Sequence, residues 1–308
     1  MGTYTVRRLL QMIPVFIGVT FLIYWMVFSL PGDPTAGKCG ERPCSEAYIA
    51  AFNEKYNLNE PLPVQYGLYM ANVVQGDFGE NQYGVSVSEE LVERFQVTGQ
   101  LGLMALGIEA VIGIAAGVLA GLRKGGFMDN LVLISTLLVI SLPVFVTGSV
   151  LQLYLGVQWG LFPVTVSGEV SFYSLLLPAF VLASTSLAYL ARLMRTNLAD
   201  NVKSDYVRTA RAKGLPERRV IGIHTLRNSM IPIITFLGYD LGALMGGAII
   251  TEGIFNIQGV GGYIFRGIND RDGVVVVGAV TALVLIYLAA NLIVDLLYGL
   301  LDPRISLD

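Results

Sequence analysis

Asp205-Tyr-Val-Arg-Thr-Ala-Arg-Ala-Lys-Gly-Leu215 forms a basic island between two apolar stretches, and its charge decides how the rest of the chain is read. From Arg192 to Arg227, nine basic residues (Arg192, Arg195, Lys203, Arg208, Arg211, Lys213, Arg218, Arg219 and Arg227) outweigh Asp200, Asp205 and Glu217. Lysine and arginine collect on the cytoplasmic loops of membrane proteins. The composition fits that setting: of 308 residues, 54% are hydrophobic and 14% charged, with a mean hydropathy of +0.63. A soluble domain carries about a quarter charged residues, and charge in hydrocarbon is costly. A nucleic-acid binder needs a basic surface, whereas this basic cluster is tied to apolar spans. Composition therefore points to a membrane protein.

Working outward, six segments are apolar over the roughly 20 residues that a helix needs to cross a bilayer: about 9–30, 97–122, 131–155, 175–193, 230–250 and 274–301. The fifth is diluted by Gly238, Gly242, Gly246 and Gly247 and contains Asp240. Arg7 and Arg8 precede the first, as in a signal peptide. Its apolar run exceeds a signal h-region and ends in Leu30-Pro-Gly-Asp-Pro34, not in a small-x-small cleavage site, so it reads as an uncleaved signal anchor.

With six spans, Arg7/Arg8, Arg123/Lys124 and the 192–227 island fall on one side, and the linkers 156–174 and 251–273 on the other. The expected fold is thus all-α and polytopic, with six transmembrane helices and both termini cytoplasmic. A large extracytoplasmic loop at 31–96 follows the first helix, with a cytoplasmic loop at about 199–229, in one transmembrane domain over 1–308. The outer loop has ten acidic residues against four basic ones and holds both cysteines, Cys39 and Cys44. Outside the cytoplasm thiols tend to oxidise, so these two read as a disulfide, with two unpaired thiols as the alternative. Segments 45–56 and 86–95 read as short surface helices.

The chain has no Gly-x-x-x-x-Gly-Lys-Ser/Thr phosphate loop. It has one histidine, His224, and no zinc-type spacing. Its glycine-rich run 242–262 lacks the dinucleotide fingerprint, and no serine sits in a nucleophile elbow. An enzyme acting alone is not expected, and no catalytic residue, metal site or cofactor is assigned. Gly113, Gly117 and Gly121 form a stripe, echoed by Gly242 and Gly246, of the kind that lets helices approach closely in lipid. It suits packing within the chain or between subunits. With Pro232, the fifth-span glycines also suit a bend. The intramembrane acids Glu109 and Asp240 are candidates for lining a solute path, for a proton relay or for holding a neighbouring helix, and Glu252, at the outer end of the fifth span, for lining an entry vestibule. Asp295, near the inner end of the last span, is read as a packing partner.

The island resembles the cytoplasmic loop of permeases of ATP-binding-cassette importers, and most closely the dipeptide/oligopeptide permease family, B-type subunit. The general motif, Glu-Ala-Ala with a glycine after three more residues, appears as Arg208-Thr209-Ala210 and Gly214. The acidic residue and first alanine are replaced, as in the peptide-permease version that Tyr206 to Leu215 matches throughout. His224-Thr-Leu-Arg-Asn-Ser-Met-Ile-Pro232 also resembles the family, as do Leu30–Pro34, Leu161-Phe-Pro-Val164, Thr251-Glu-Gly-Ile-Phe255 with Gly259-x-Gly261, and Asp295-Leu-Leu-Tyr-Gly-Leu-Leu-Asp-Pro-Arg304. The stretch around Cys39–Cys44 matches no family motif.

The resemblance implies that Tyr206, Arg208, Thr209, Ala210, Arg211, Lys213, Gly214 and Leu215 belong to a coupling helix that docks on a separate ATPase subunit. It implies two ATP-binding subunits carrying ATP and magnesium, a second, non-identical permease and an external solute-binding protein that meets loop 31–96 or linker 156–174. It also implies alternating access, import of di- or oligopeptides and a place in the cytoplasmic membrane of a prokaryote. Relatives of this kind also carry nickel chelates, haem and other small solutes. A proton-coupled transporter using Glu109 and Asp240, and a non-transporting scaffold or sensor, are the competing classes. Neighbouring genes for ATPases and a secreted binding protein would separate them.

Overall fold

The computed structural model describes residues 2–29, 38–39, 44–166, 168 and 170–301. Leu30–Pro34, positions 40–43 between the cysteines and the terminal Asp302-Pro-Arg304 lie outside the described residues. In chain order the elements are α1 (Gly2–Ser29), α2 (Glu46–Lys55), α3 (Leu62–Val74), α4 (Val87–Ile108), a π-helical turn at Glu109–Gly113, α5 (Ile114–Leu122), α6 (Phe127–Ser141), α7 (Val144–Leu151), a π-helical segment at Gln152–Gln158, α8 (Phe172–Asn201), α9 (Asp205–Ala212), α10 (Glu217–Arg219), a third π-helical segment at Val220–Leu226, α11 (Arg227–Phe255), α12 (Val260–Asn269) and α13 (Gly273–Leu301). Among the described residues the fold is all-helical apart from an isolated bridge between Glu80 and Ser86.

Among the described residues five helices are long and apolar enough to cross a membrane: Thr5–Ser29, Val87–Leu122, Phe172–Asn201, Glu217–Gly246 and Gly273–Leu296. The expected third span is instead a bent pair, α6 and α7 meeting at 103°, and a sixth span results only if the pair is counted as one. The cause is local. Pro143 disfavours helical backbone at the residue before it, and Leu142 is extended at φ −99°, ψ 130°. The expected surface helix 86–95 runs without a break into the second span, because no proline separates them.

Helices α3 and α12 fall in segments read as loop and linker. The glycines that made 251–273 look like a linker are packing positions. A Cβ on Gly262 would come within 2.2 Å of the Ile257 carbonyl oxygen, and one on Gly267 within 2.9 Å of Val275. The expected helix at 45–56 is α2, capped by Ser45, whose side chain accepts the Tyr48 N–H.

The chain forms two compact units, Met1–Gly99 with Asn256–Asp308, and Gln100–Phe255. In the first, α1 packs along α13 and against α3. Tyr24 stacks among Phe28, Tyr66 and Tyr69, and Arg8 pairs with Asp295 at 3.3 Å. Lys38 and Asp272 form a buried ion pair at 3.0 Å, each side chain 3% exposed.

In the second unit α8 is the axis, and α5, α6, α7 and α11 all pack on it. The Gly113/Gly117/Gly121 stripe lies against α8. A Cβ on Gly117 would sit 2.5 Å from Met194 Cβ and 2.6 Å from the Ala191 carbonyl oxygen. The stripe therefore serves packing within the chain. Gly246, by contrast, faces open space. Arg195 of α8 clasps Asp129 of α6 through both carboxylate oxygens.

Candidate functional site

Helix α9 has eight residues, too few to be stable alone in water. Its stability comes from one face. Val207 and Ala210, three apart and so on one side of the helix, are buried against Val220, with half-buried Leu215 beside them. Burying a valine side chain contributes about 1.5 kcal/mol. Asp205 in the first turn and Arg211 in the last suit the helix dipole.

The helix ends at Gly214, whose φ of +74° a side chain would oppose. Its N–H donates to the Arg211 carbonyl at 2.9 Å, and the Leu215 N–H donates to the Ala210 carbonyl at 3.3 Å. Together with the Leu215–Ala210 contact this is a Schellman stop.

The other face is open. Tyr206, Arg208, Thr209, Arg211 and Lys213 are exposed, and Gly214 has no neighbour within reach of an added Cβ. Arg208 reaches back to Asp205 at 3.4 Å. Arg211 pairs with Glu217 at 2.7 Å, which fixes α9 to the start of the next helix. Of the eight residues singled out in the sequence, Tyr206, Arg208, Thr209, Arg211, Lys213 and Gly214 are exposed, whereas Ala210 and Leu215 turn to the underside seated on Val220 beside Val207, which was not singled out. Val220 was missed, since a valine fifteen residues from Asp205 carries no local signal of contact.

The three acids occupy interior positions. Glu109, in the first π-helical turn, is fully buried and faces Asp240 of α11. Asp240 is also buried and accepts a hydrogen bond from the Ser186 hydroxyl of α8 at 3.1 Å. Glu109 and Asp240 are therefore brought together, while Glu252 lies three turns further along α11, equally buried. Near it, Gln152 Nε2 donates to the Ile254 and Val164 carbonyls at 3.0 and 2.7 Å, and the Val166 N–H donates to the Phe255 carbonyl. Cys39 and Cys44 are joined by a disulfide, their Cα atoms 5.3 Å apart. Among the described residues no cluster of three or more metal-ligating side chains occurs.

Residues 113–307 match the protein family described as the binding-protein-dependent transport system inner membrane component, and residues 1–95 match its N-terminal companion. The chain is 36% identical to the dipeptide transport system permease protein DppB of Escherichia coli (strain K12), with 98% of each chain covered. It is also 36% identical to the oligopeptide transport system permease protein AppB of Bacillus subtilis (strain 168), covering 99% of this chain and 100% of that one. Identity to the di/tripeptide transport system permease protein DppB of Pseudomonas aeruginosa (strain UCBPP-PA14) is 35%, with 99% of each covered.

Proposed function

The chain belongs to the inner membrane components of binding-protein-dependent transport systems, and from that premise we propose that it is one of two permease subunits of an ATP-driven importer of di- or oligopeptides. As a member of that family it is a multi-pass protein of the cytoplasmic membrane and a transport permease. The observation that carries the finer reading is the build of α9. A short helix fixed on one face and open on the other suits docking in a groove of a separate subunit, and its cations suit an acidic rim there. Two such subunits, loaded with ATP and magnesium, would displace α9 as they close. Because Val207 and Ala210 pack on Val220, and Arg211 holds Glu217, that displacement reaches the base of α11.

The proposal extends to the surroundings of the chain. A second, non-identical permease completes the path, an external binding protein delivers the peptide to loop 31–96 or linker 156–174, and both termini are cytoplasmic. The whole chain of 1–308 acts as one transmembrane domain, with Glu109, Asp240 and Glu252 as polar groups of its transport machinery. The peptide cargo follows the names of the relatives.

The test begins with purification of the chain from its native membrane. Co-purifying ATP-binding subunits, a second permease and vanadate-sensitive ATP hydrolysis are expected. A Gly214→Trp variant is expected to reach the membrane and lose peptide uptake, because an indole there projects from the docking face and opposes the positive φ. Normal uptake by that variant would refute the docking role. A second reading, proton-coupled transport, draws on the paired Glu109 and Asp240. It would replace the first if uptake needed no ATP and were lost in Glu109→Gln and Asp240→Asn.

A further inference from the structure

Asn201 closes α8 and lies outside the 206–215 match that carries the coupling reading, on which this inference rests. Its Oδ1 accepts the Tyr206 phenol at 2.5 Å, and its Nδ2 donates to the Ser229 hydroxyl at 3.0 Å. Ser229 is fully buried near the start of α11; its hydroxyl donates to the Thr225 carbonyl at 2.9 Å, with the Asn197 carbonyl of α8 at 3.4 Å. One carboxamide thus joins the outer face of α9, the end of α8 and the base of α11.

A carboxamide is the side chain that supplies an acceptor and a donor together at this reach, whereas a carboxylate supplies acceptors alone. The bond to Ser229 is shielded from water on the serine side, which strengthens it relative to a surface bond. Without Asn201, α9 would stay attached to α10 through Glu217 and to the π-helical segment before α11 through Val220. Its covalent path to α8 is the turn at 202–204.

We propose that Asn201 is a positioning residue of the coupling mechanism: it ties α9 to α8 and α11 at once, so that a push on α9 moves both membrane helices together. Since α8 is the axis on which α5, α6, α7 and α11 pack, this link delivers the motion to the whole second unit.

The test uses the complete transporter in liposomes, with labelled peptide uptake and phosphate release measured on the same sample. Asn201→Ala is expected to lower the peptide moved per ATP about tenfold, the scale of losing one well-placed buried hydrogen bond from the moving state. Ser229→Ala, which removes the α11 arm of the link together with the Asn197 and Thr225 contacts of that hydroxyl, is expected to do the same, and the double variant to add nothing further. Asn201→Gln should recover part of the ratio. A merely structural role would lower yield or assembly and leave the ratio unchanged.

Hydrogen exchange on the same complexes gives a second readout, in which both alanine variants speed exchange at 205–212. Wild-type peptide-to-ATP ratios in both alanine variants, or falls that simply multiply in the double variant, would overturn the inference. Absence of ATP-driven uptake in the wild-type complex would instead strike the transport reading. The link would then stand or fall on whether both variants loosen α9.

Discussion

Asp272 accepts three donors: Lys38 at 3.0 Å, the Gln82 N–H at 2.7 Å and the Val275 N–H at 3.4 Å. Lys38 is also placed over the Phe52 ring, 5.2 Å from its centroid, and is adjacent in sequence to the disulfide at Cys39. A buried lysine without its carboxylate is an uncompensated charge, and removing one partner of such a pair costs about 3–5 kcal/mol. Asp272→Ala is accordingly expected to lower the unfolding midpoint of the detergent-solubilised protein by roughly 10 °C, on the usual scaling for chains of this size. A shift within about 2 °C would mean that Lys38 finds another partner or water. The pair spans 234 positions of sequence, so neither residue announces the other.

At the scale of elements, the glycine stripe and the bend make contrasting cases. Gly117 is fixed between Met194 and Ala191, and any side chain there overpacks the α5–α8 contact. Gly117→Val is expected to destabilise the protein by about 1–3 kcal/mol. Gly246→Ala, with nothing within 4 Å of the new carbon, is expected to be neutral or mildly stabilising. Thermal unfolding of the two variants side by side checks this, and equal effects would contradict the assigned contact. The stripe was legible as a pattern, but its partner was not, because spacing marks which face is narrow and says nothing of what meets it. The break at Leu142–Pro143 had a readable cause in Pro143, yet the 131–155 run is apolar throughout, and hydropathy does not register the direction of a helix. Helix α12 was hidden in the opposite way. Its glycines signal loop locally, and they sit within a helix where Ile257 and Val275 leave no room for a side chain.

For the molecule as a whole, the charge asymmetry of the loops predicts an orientation that is testable on intact membranes. In a Cys39→Ser/Cys44→Ser background, single cysteines are placed at two exposed positions, Asn59 and Lys213. The Asn59→Cys protein is expected to react with an impermeant maleimide in right-side-out vesicles. The Lys213→Cys protein is expected to react only after the vesicles are opened. Labelling of both from one side would contradict the positive-inside reading of the 192–227 island.

Several properties were written in the chain itself, because each rests on interactions between near neighbours or on bulk transfer to lipid. The all-helical membrane class follows from long apolar runs, which must satisfy their own backbone polar groups in hydrocarbon. Ser45 and Gly214 mark helix ends that form from hydrogen bonds within a few residues. The order of residues from Tyr206 to Leu215 was likewise sufficient to single out the surface element later seen as α9. Tertiary structure alone decided that α5 lies on α8, that Asp272 holds Lys38, that Glu109 meets Asp240 and that Asn201 joins three helices. Apart from Asn201 with Tyr206, five residues apart, these contacts are short-ranged in space but long in sequence. Which of the many apolar or polar surfaces meet is set by the packing of complete helices, a choice no local pattern encodes.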